Sequence, residues 1–152
     1  VPEALWARQE ELFRRLVRLA IAVDKPVIVH SRKAEARMLE VLTEEGARKV
    51  DWHCFGGKVK LGRRIGEHGH WLSMPANAFK SDSFKALLKD LPRERVLLET
   101  DCPYLGPEKG ELNEPKNVAR TVSLAAEIWG LPEERVVAQL EENFEALFGF
   151  PP

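Results

Sequence analysis

Three side chains in this sequence stand where chemistry would need them, directly after short apolar runs. Val27-Ile28-Val29 leads into His30, Val50-Asp51-Trp52 into His53, and Val96-Leu97-Leu98-Glu99-Thr100 into Asp101. Neutral imidazole nitrogens and carboxylate oxygens are the usual donors to a divalent cation. A cation held this way turns bound water into a hydroxide nucleophile near neutral pH. Taken singly, each residue has a plainer reading: a hydrogen-bonded histidine at a strand end, or an aspartate opening a turn at Cys102-Pro103. Three together, each at the same point of its own run, favour a metal or catalytic site. Glu99 lies two residues before Asp101 and so on the same strand face. If that face points inward, the carboxylate needs a cation or a basic partner. Orienting a histidine or lysine suits it better than direct ligation. Arg32 follows His30 closely enough to meet a substrate phosphate with its planar fork, or else it forms a surface salt bridge.

Other polar residues read as bystanders. His68-Gly69-His70 offers an H-x-H pair, but it precedes its strand and so lies at the opposite edge of the sheet, as ordinary loop polarity. Ser31 is adjacent to His30 and points to the other face, which implies no nucleophile pair. Cys54 and Cys102 flank candidate ligands and read as fillers of small apolar spaces. There is no P-loop, no G-x-G-x-x-G and no G-x-S-x-G, which weakens nucleotide-dependent and α/β-hydrolase readings.

The elements that must position these residues alternate. Leu5, Leu12, Phe13, Leu16, Leu19, Ala20 and Val23 recur at helical spacing and predict a helix over 3–23. Strands are expected at 27–29, 49–54, 71–73 and 95–100, and further helices at 33–46, 58–67, 81–90, 115–129 and 132–147. Gly46 is a C-cap candidate, Ser81 an N-cap candidate, and Pro132 suits a first helical turn. This αβαβαβαβαα order implies an α/β domain with a parallel sheet, either open and doubly wound or part of a (β/α)8 barrel. No linker or low-complexity stretch divides it, so residues 1–152 are expected to form one domain. In such a sheet every strand C-terminus reaches one edge, which brings His30, His53 and Asp101 to a common rim.

Charge narrows the partners. Lys and Arg total 23 against 24 Asp and Glu, a net charge of −1, so no bulk basic field is available to coat a duplex or bind an anionic membrane. A nucleic acid would have to be held at a local site. No apolar run approaches the ~20 residues of a membrane span. The charged start of the chain lacks a signal-peptide core, and two cysteines make no disulfide framework. A reducing cytoplasm is the expected compartment.

The strings PVIVHSRKA (26–34), HCFGG (53–57), LLETDCPYL (97–105), NEPKNV (113–118) and ENFEALFG (142–149), with Gln9 and Phe13 in a Q-x-x-x-F pattern, resemble TatD-type metal-dependent deoxyribonucleases. The resemblance runs along nearly the whole chain in the family's order. It implies an amidohydrolase-like TIM barrel, with the parallel βα repeats here corresponding to strands 5–8 and extra helices at the C-terminus. It also implies hydrolysis of phosphodiester bonds in DNA, at single strands or 3′ ends, as a 3′–5′ exonuclease using metal-activated water. By this likeness His30, His53 and Asp101 match metal ligands, and Asp101 also contacts the attacking water as the catalytic residue. Arg32, Tyr104, Asn113 and Glu114 match positions around the substrate mouth. Mg, Mn or Zn would fill one to two sites. Gly56 stands where the family usually has a serine. The family's first H-x-H pair and its metal-binding glutamate have no counterpart here, so half the expected ligand side chains are missing. A TIM barrel needs about 250 residues, against 152 in this chain. The expected state is therefore an incomplete barrel with exposed sheet edges. It would pair with a separate N-terminal half, self-associate through those edges, or act as a catalytically incomplete binding or assembly module. Another hydrolase of the amidohydrolase superfamily is the lesser alternative.

Overall fold

The computed structural model describes residues 3–108 and 110–152. Four short strands, β1 (Val27–Val29), β2 (Val50–Trp52), β3 (Trp71–Met74) and β4 (Val96–Leu98), form one sheet in that order. All neighbours pair in parallel. The connecting helices are α2 (Glu35–Glu44), α3 (Val59–Glu67) and α4 (Asp82–Asp90); α1 (Trp6–Ala22) precedes the sheet and α5 (Val118–Trp129) and α6 (Glu133–Phe148) follow it. The expected α/β class with parallel strands is therefore present, with β2 and β4 shorter than the sequence predicts.

Local chemistry sets the element ends. Gly46, at φ 72°, ends α2 in a left-handed turn: its N–H reaches the Thr43 carbonyl at 3.1 Å and the Ala47 N–H reaches Leu42 at 2.9 Å. This two-bond closure satisfies carbonyls that a helix end leaves free. Ser81 caps α4 by accepting the Phe84 N–H at 3.4 Å. Pro132 stands one position outside α6, in extended conformation, so the helix opens at Glu133.

The strand register sorts the sheet into two faces. Val29, Val50, Trp52, Leu72, Met74 and Val96 point to one side and join Leu39, Leu42, Ile65, Leu87, Leu88, Ala125 and Trp129 from the helices in the main core. On the opposite face the register aligns Ile28, Asp51, Trp71, and then Ser73 with Leu97. Residues two further along each strand, His30, His53 and Glu99, continue that face. Its β4 end is covered by α6, whose Leu147, Phe144 and Phe148 pack on Trp71 and Leu97. Asn143 of α6 fastens this packing by donating to the Arg93 and Val96 carbonyls, both at 2.7 Å. Its β1 end is open, with Ile28 58% exposed, and α1 presents Leu12, Leu16 and Leu19 to solvent.

Two sequence expectations are corrected. His70 is not loop polarity: it is buried, accepting the Trp52 indole N–H on Nδ1 at 3.2 Å while Nε2 donates to the Ala47 carbonyl at 3.0 Å. Burial holds its imidazole below the usual value. Cys102 is exposed rather than filling an apolar space, whereas Cys54 is half-buried against the core as expected. Among the described residues no helix is long and apolar enough to cross a membrane.

Candidate metal centre

The strand ends deliver the candidate side chains because the ladder holds past each apolar run. The His53 N–H donates to the Val29 carbonyl at 3.0 Å, and the Glu99 N–H to Met74 at 2.9 Å. His53, Glu99 and Asp101 thus meet at the C-terminal edge of the sheet, each offering a donor atom within 4.8 Å of the others. His53 Nδ1 is in contact with Glu99 Oε2, and His53 Nε2 lies 3.2 Å from Asp101 Oδ1. A neutral imidazole giving its Nδ1 hydrogen to Glu99 has a lone pair on Nε2. That lone pair and an Asp101 oxygen then face each other, an electron-rich pair that suits a cation between or beside them. A second observation points the same way. Glu99 Oε1 is buried with no hydrogen-bond partner among the described residues, and an orphaned carboxylate oxygen is costly without a cation or donor. The donor set fits a divalent metal.

His30 shares the rim, its ring centre 6.0 Å from that of His53, but it is exposed and lies outside the close group. Glu99 takes the third place in that group. The turns that follow two of the strands are unusual: Cys54 and Asp101 adopt left-handed backbone at φ 47° and 59°. Aspartate visits this region readily and cysteine seldom does. Such outliers gather at sites where the surroundings over-determine the backbone.

Behind Asp101 the long loop is pinned from inside. Asn113 is buried, donates to the Thr100 carbonyl, and accepts the Glu114 N–H at 3.0 Å and the Asn117 amide at 2.9 Å. Its own N–H reaches Pro103 at 2.9 Å. Asn113 therefore shapes the loop rather than facing the mouth. At Gly106 a Cβ would run into the Glu111 carbonyl, so the loop closes on itself only with glycine there. Tyr104, Arg32 and Glu114 are exposed around the rim; Glu114 pairs with Lys116 at 2.7 Å, and Arg32 has no carboxylate partner among the described residues.

Two residues of the site escaped the sequence reading. Ser73 bridges the floor, its hydroxyl 3.3 Å from Asp51 Oδ2 and 3.1 Å from Glu99 Oε2. Burial, reinforced by the Glu99 charge, raises the Asp51 carboxyl to about 7. Burial also raises Glu99, offset in part by His53 and Ser73. It pushes the Cys54 thiol up to about 12. The available signal was the i, i+2 spacing of Asp51 and His53, the same spacing that links Glu99 to Asp101.

Comparison with known proteins places this geometry in a wider setting. The family model described as TatD related DNase matches residues 1–149. The uncharacterized metal-dependent hydrolase MJ1582 of Methanocaldococcus jannaschii is 36% identical over 140 residues, covering 91% of this chain and 55% of that protein. Deoxyribonuclease TATDN3 of Homo sapiens is 35% identical over 140 residues, covering 92% of this chain and 51% of its own length. The chain thus spans about half the length of these curated relatives. Among solved structures, the crystal structure of YJJV, a TatD homologue from Escherichia coli K12, superposes with a TM-score of 0.88 at 25% identity, covering 99% of this chain and 60% of that one.

Proposed function

The chain belongs to the TatD-related DNase family, and from that premise we propose that it is the strand 5–8 portion of a (β/α)8 barrel that hydrolyses phosphodiester bonds in DNA from 3′ ends. The observation that carries the reading is the approach of His53 Nε2 to Asp101 Oδ1 at 3.2 Å, with Glu99 behind Nδ1. His53 and Asp101 would hold the metal, with His30 at the neighbouring strand end as a further candidate ligand. When bound, the divalent ion lowers the pKa of water and polarises the phosphoryl oxygen.

The chain's own residues supply the remaining work. Glu99 orients the His53 ring, as carboxylates behind metal-binding histidines do. Asp101 aligns the attacking water and accepts a proton from it as the water oxygen bonds to phosphorus and the ester oxygen leaves. Arg32, without a carboxylate partner among the described residues, meets a flanking phosphate, and Tyr104 offers a ring on which an unpaired 3′ base stacks. The open β1 end of the site face takes further strands, from more of the same polypeptide, from a separate N-terminal half or from a second copy.

The test pairs metal content with chemistry. Purified chain is dialysed against Mn(II), analysed by mass spectrometry, and incubated with single-stranded DNA labelled at its 5′ end, alone and with a polypeptide supplying the preceding four βα units. A stepwise shortening ladder from the 3′ end that vanishes in His53→Ala is expected. Hydrolysis unchanged by that substitution overturns the reading.

A further inference from the structure

Asp51 has no part in the chemistry just described, yet it is 5% exposed on the site face, where a β-branched apolar residue would cost far less to bury. Its Oδ2 lies 3.3 Å from the Ser73 hydroxyl, which is 3.1 Å from Glu99 Oε2, and that same oxygen contacts His53 Nδ1. Asp51, Ser73, Glu99 and His53 therefore form one connected run across β2, β3 and the end of β4. Ser73 has a single hydrogen to place, so it donates to one of the two flanking oxygens and turns a lone pair to the other. The second oxygen of Glu99 is buried without a hydrogen-bond partner among the described residues.

We propose that Asp51 is a positioning residue. Through Ser73 it fixes Glu99 Oε2 against His53 Nδ1, which keeps the imidazole hydrogen on Nδ1 and leaves Nε2 as the donor atom facing Asp101. The proposal rests on the reading of His53 as a metal ligand and extends its support one residue deeper, to a group that touches neither metal nor substrate. It also explains why a carboxylate stands on an inner strand between Val50 and Trp52, where stability alone favours an apolar side chain.

Three single variants, Asp51→Val, Asp51→Asn and Ser73→Ala, and one double variant test it. The first readout needs no metal: the ring-nitrogen 15N shifts of His53, which distinguish the Nδ1–H from the Nε2–H tautomer. The second is Mn(II) binding followed by loss of the free-ion EPR signal. Asp51→Val is expected to fold at least as stably as the parent, to mix the two tautomers and to bind Mn(II) about 10-fold more weakly, the lower end of losses from outer-shell partners. Asp51→Asn is expected to match the parent, because its amide can donate to Ser73 and free the hydroxyl hydrogen for Glu99. The Asp51→Val/Ser73→Ala double variant should bind no more weakly than Ser73→Ala, since both cut one chain. An Asp51→Val protein with the parent's tautomer and Mn(II) affinity overturns the proposal, as does an Asp51→Asn protein as impaired as Asp51→Val. If the unsubstituted chain binds no Mn(II), the metal reading falls by that result, while the His53 tautomer still decides the role of Asp51.

Discussion

The two faces of the sheet are built to different rules. On the helix side Val50, Trp52, Leu72, Met74 and Val96 are fully buried in a single apolar cluster. On the site side the strands and their C-terminal ends carry Asp51, Ser73, His53 and Glu99, and the three buried side-chain polar atoms without a partner among the described residues, on Asp51, Trp71 and Glu99, belong to that face. One face is finished by the chain's own packing. The other is finished only at its β4 end, where α6 covers Trp71 and Leu97. Stability is concentrated on the first face and chemistry on the second, so substitutions should separate the two.

The largest effect is expected on the helix side. Trp52→Ala removes a fully buried ring and should cost about 3–5 kcal/mol in urea unfolding; a loss no larger than that of a surface residue would erase the contrast. Next comes the fastening of α6. Asn143→Ala strands the Arg93 and Val96 carbonyls and should cost about 1–3 kcal/mol, with hydrogen exchange at β4 rising first. A parent-like exchange pattern would mean that the site face closes without that clasp.

The third prediction concerns pH. His70 sits at the base of the helix-side core, and its folded value is held below the usual imidazole value by burial. The unfolded chain then binds more protons once the pH falls to about 6.5, so stability should be full above that value and decline as pH is lowered through it. His70→Gln should flatten this part of the curve, and an unchanged slope between pH 8 and 5 would place the acid sensitivity elsewhere. The smallest effect is expected at the open end of the site face. Ile28→Ser should move stability by no more than about 0.5 kcal/mol, because Ile28 is already 58% exposed. A larger loss would show that this end is covered in solution.

Much of this contrast can be read in the sequence, for reasons that also explain what cannot. Val27–Val29 is a strand where the continuous β-branched run predicts one, although its Ile28 is exposed rather than buried, and β3 begins at Trp71 as expected. That His30, His53 and Asp101 reach one edge of the sheet follows from parallel order; that Glu99 rather than His30 completes the close group does not. Asp51 and Ser73 are harder, since one polar residue in a three- or four-residue strand looks like ordinary alternation. Only the cross-strand register puts Ser73 between Asp51 and Glu99. His70 fails for a related reason: its position before β3 is legible, but not the turn at Gly69 that tucks its ring beneath Trp52. The inner role of Asn113 is equally invisible, because its partners Thr100 and Pro103 lie across a loop with no periodicity to read.

The strand order carries one more consequence. Neighbours in the sheet are also neighbours in the chain, β1 to β4 in sequence. During synthesis each strand can dock on the one already made, so the sheet grows outward without waiting for distant segments. His53 is laid down directly after β2, before β3 and β4. Its two carboxylate companions arrive only with the end of β4, after three of the four strands are in place. A nascent or misassembled chain would therefore carry an imidazole at the rim with nothing to aim it, and the group of His53, Glu99 and Asp101 is complete only with the end of β4.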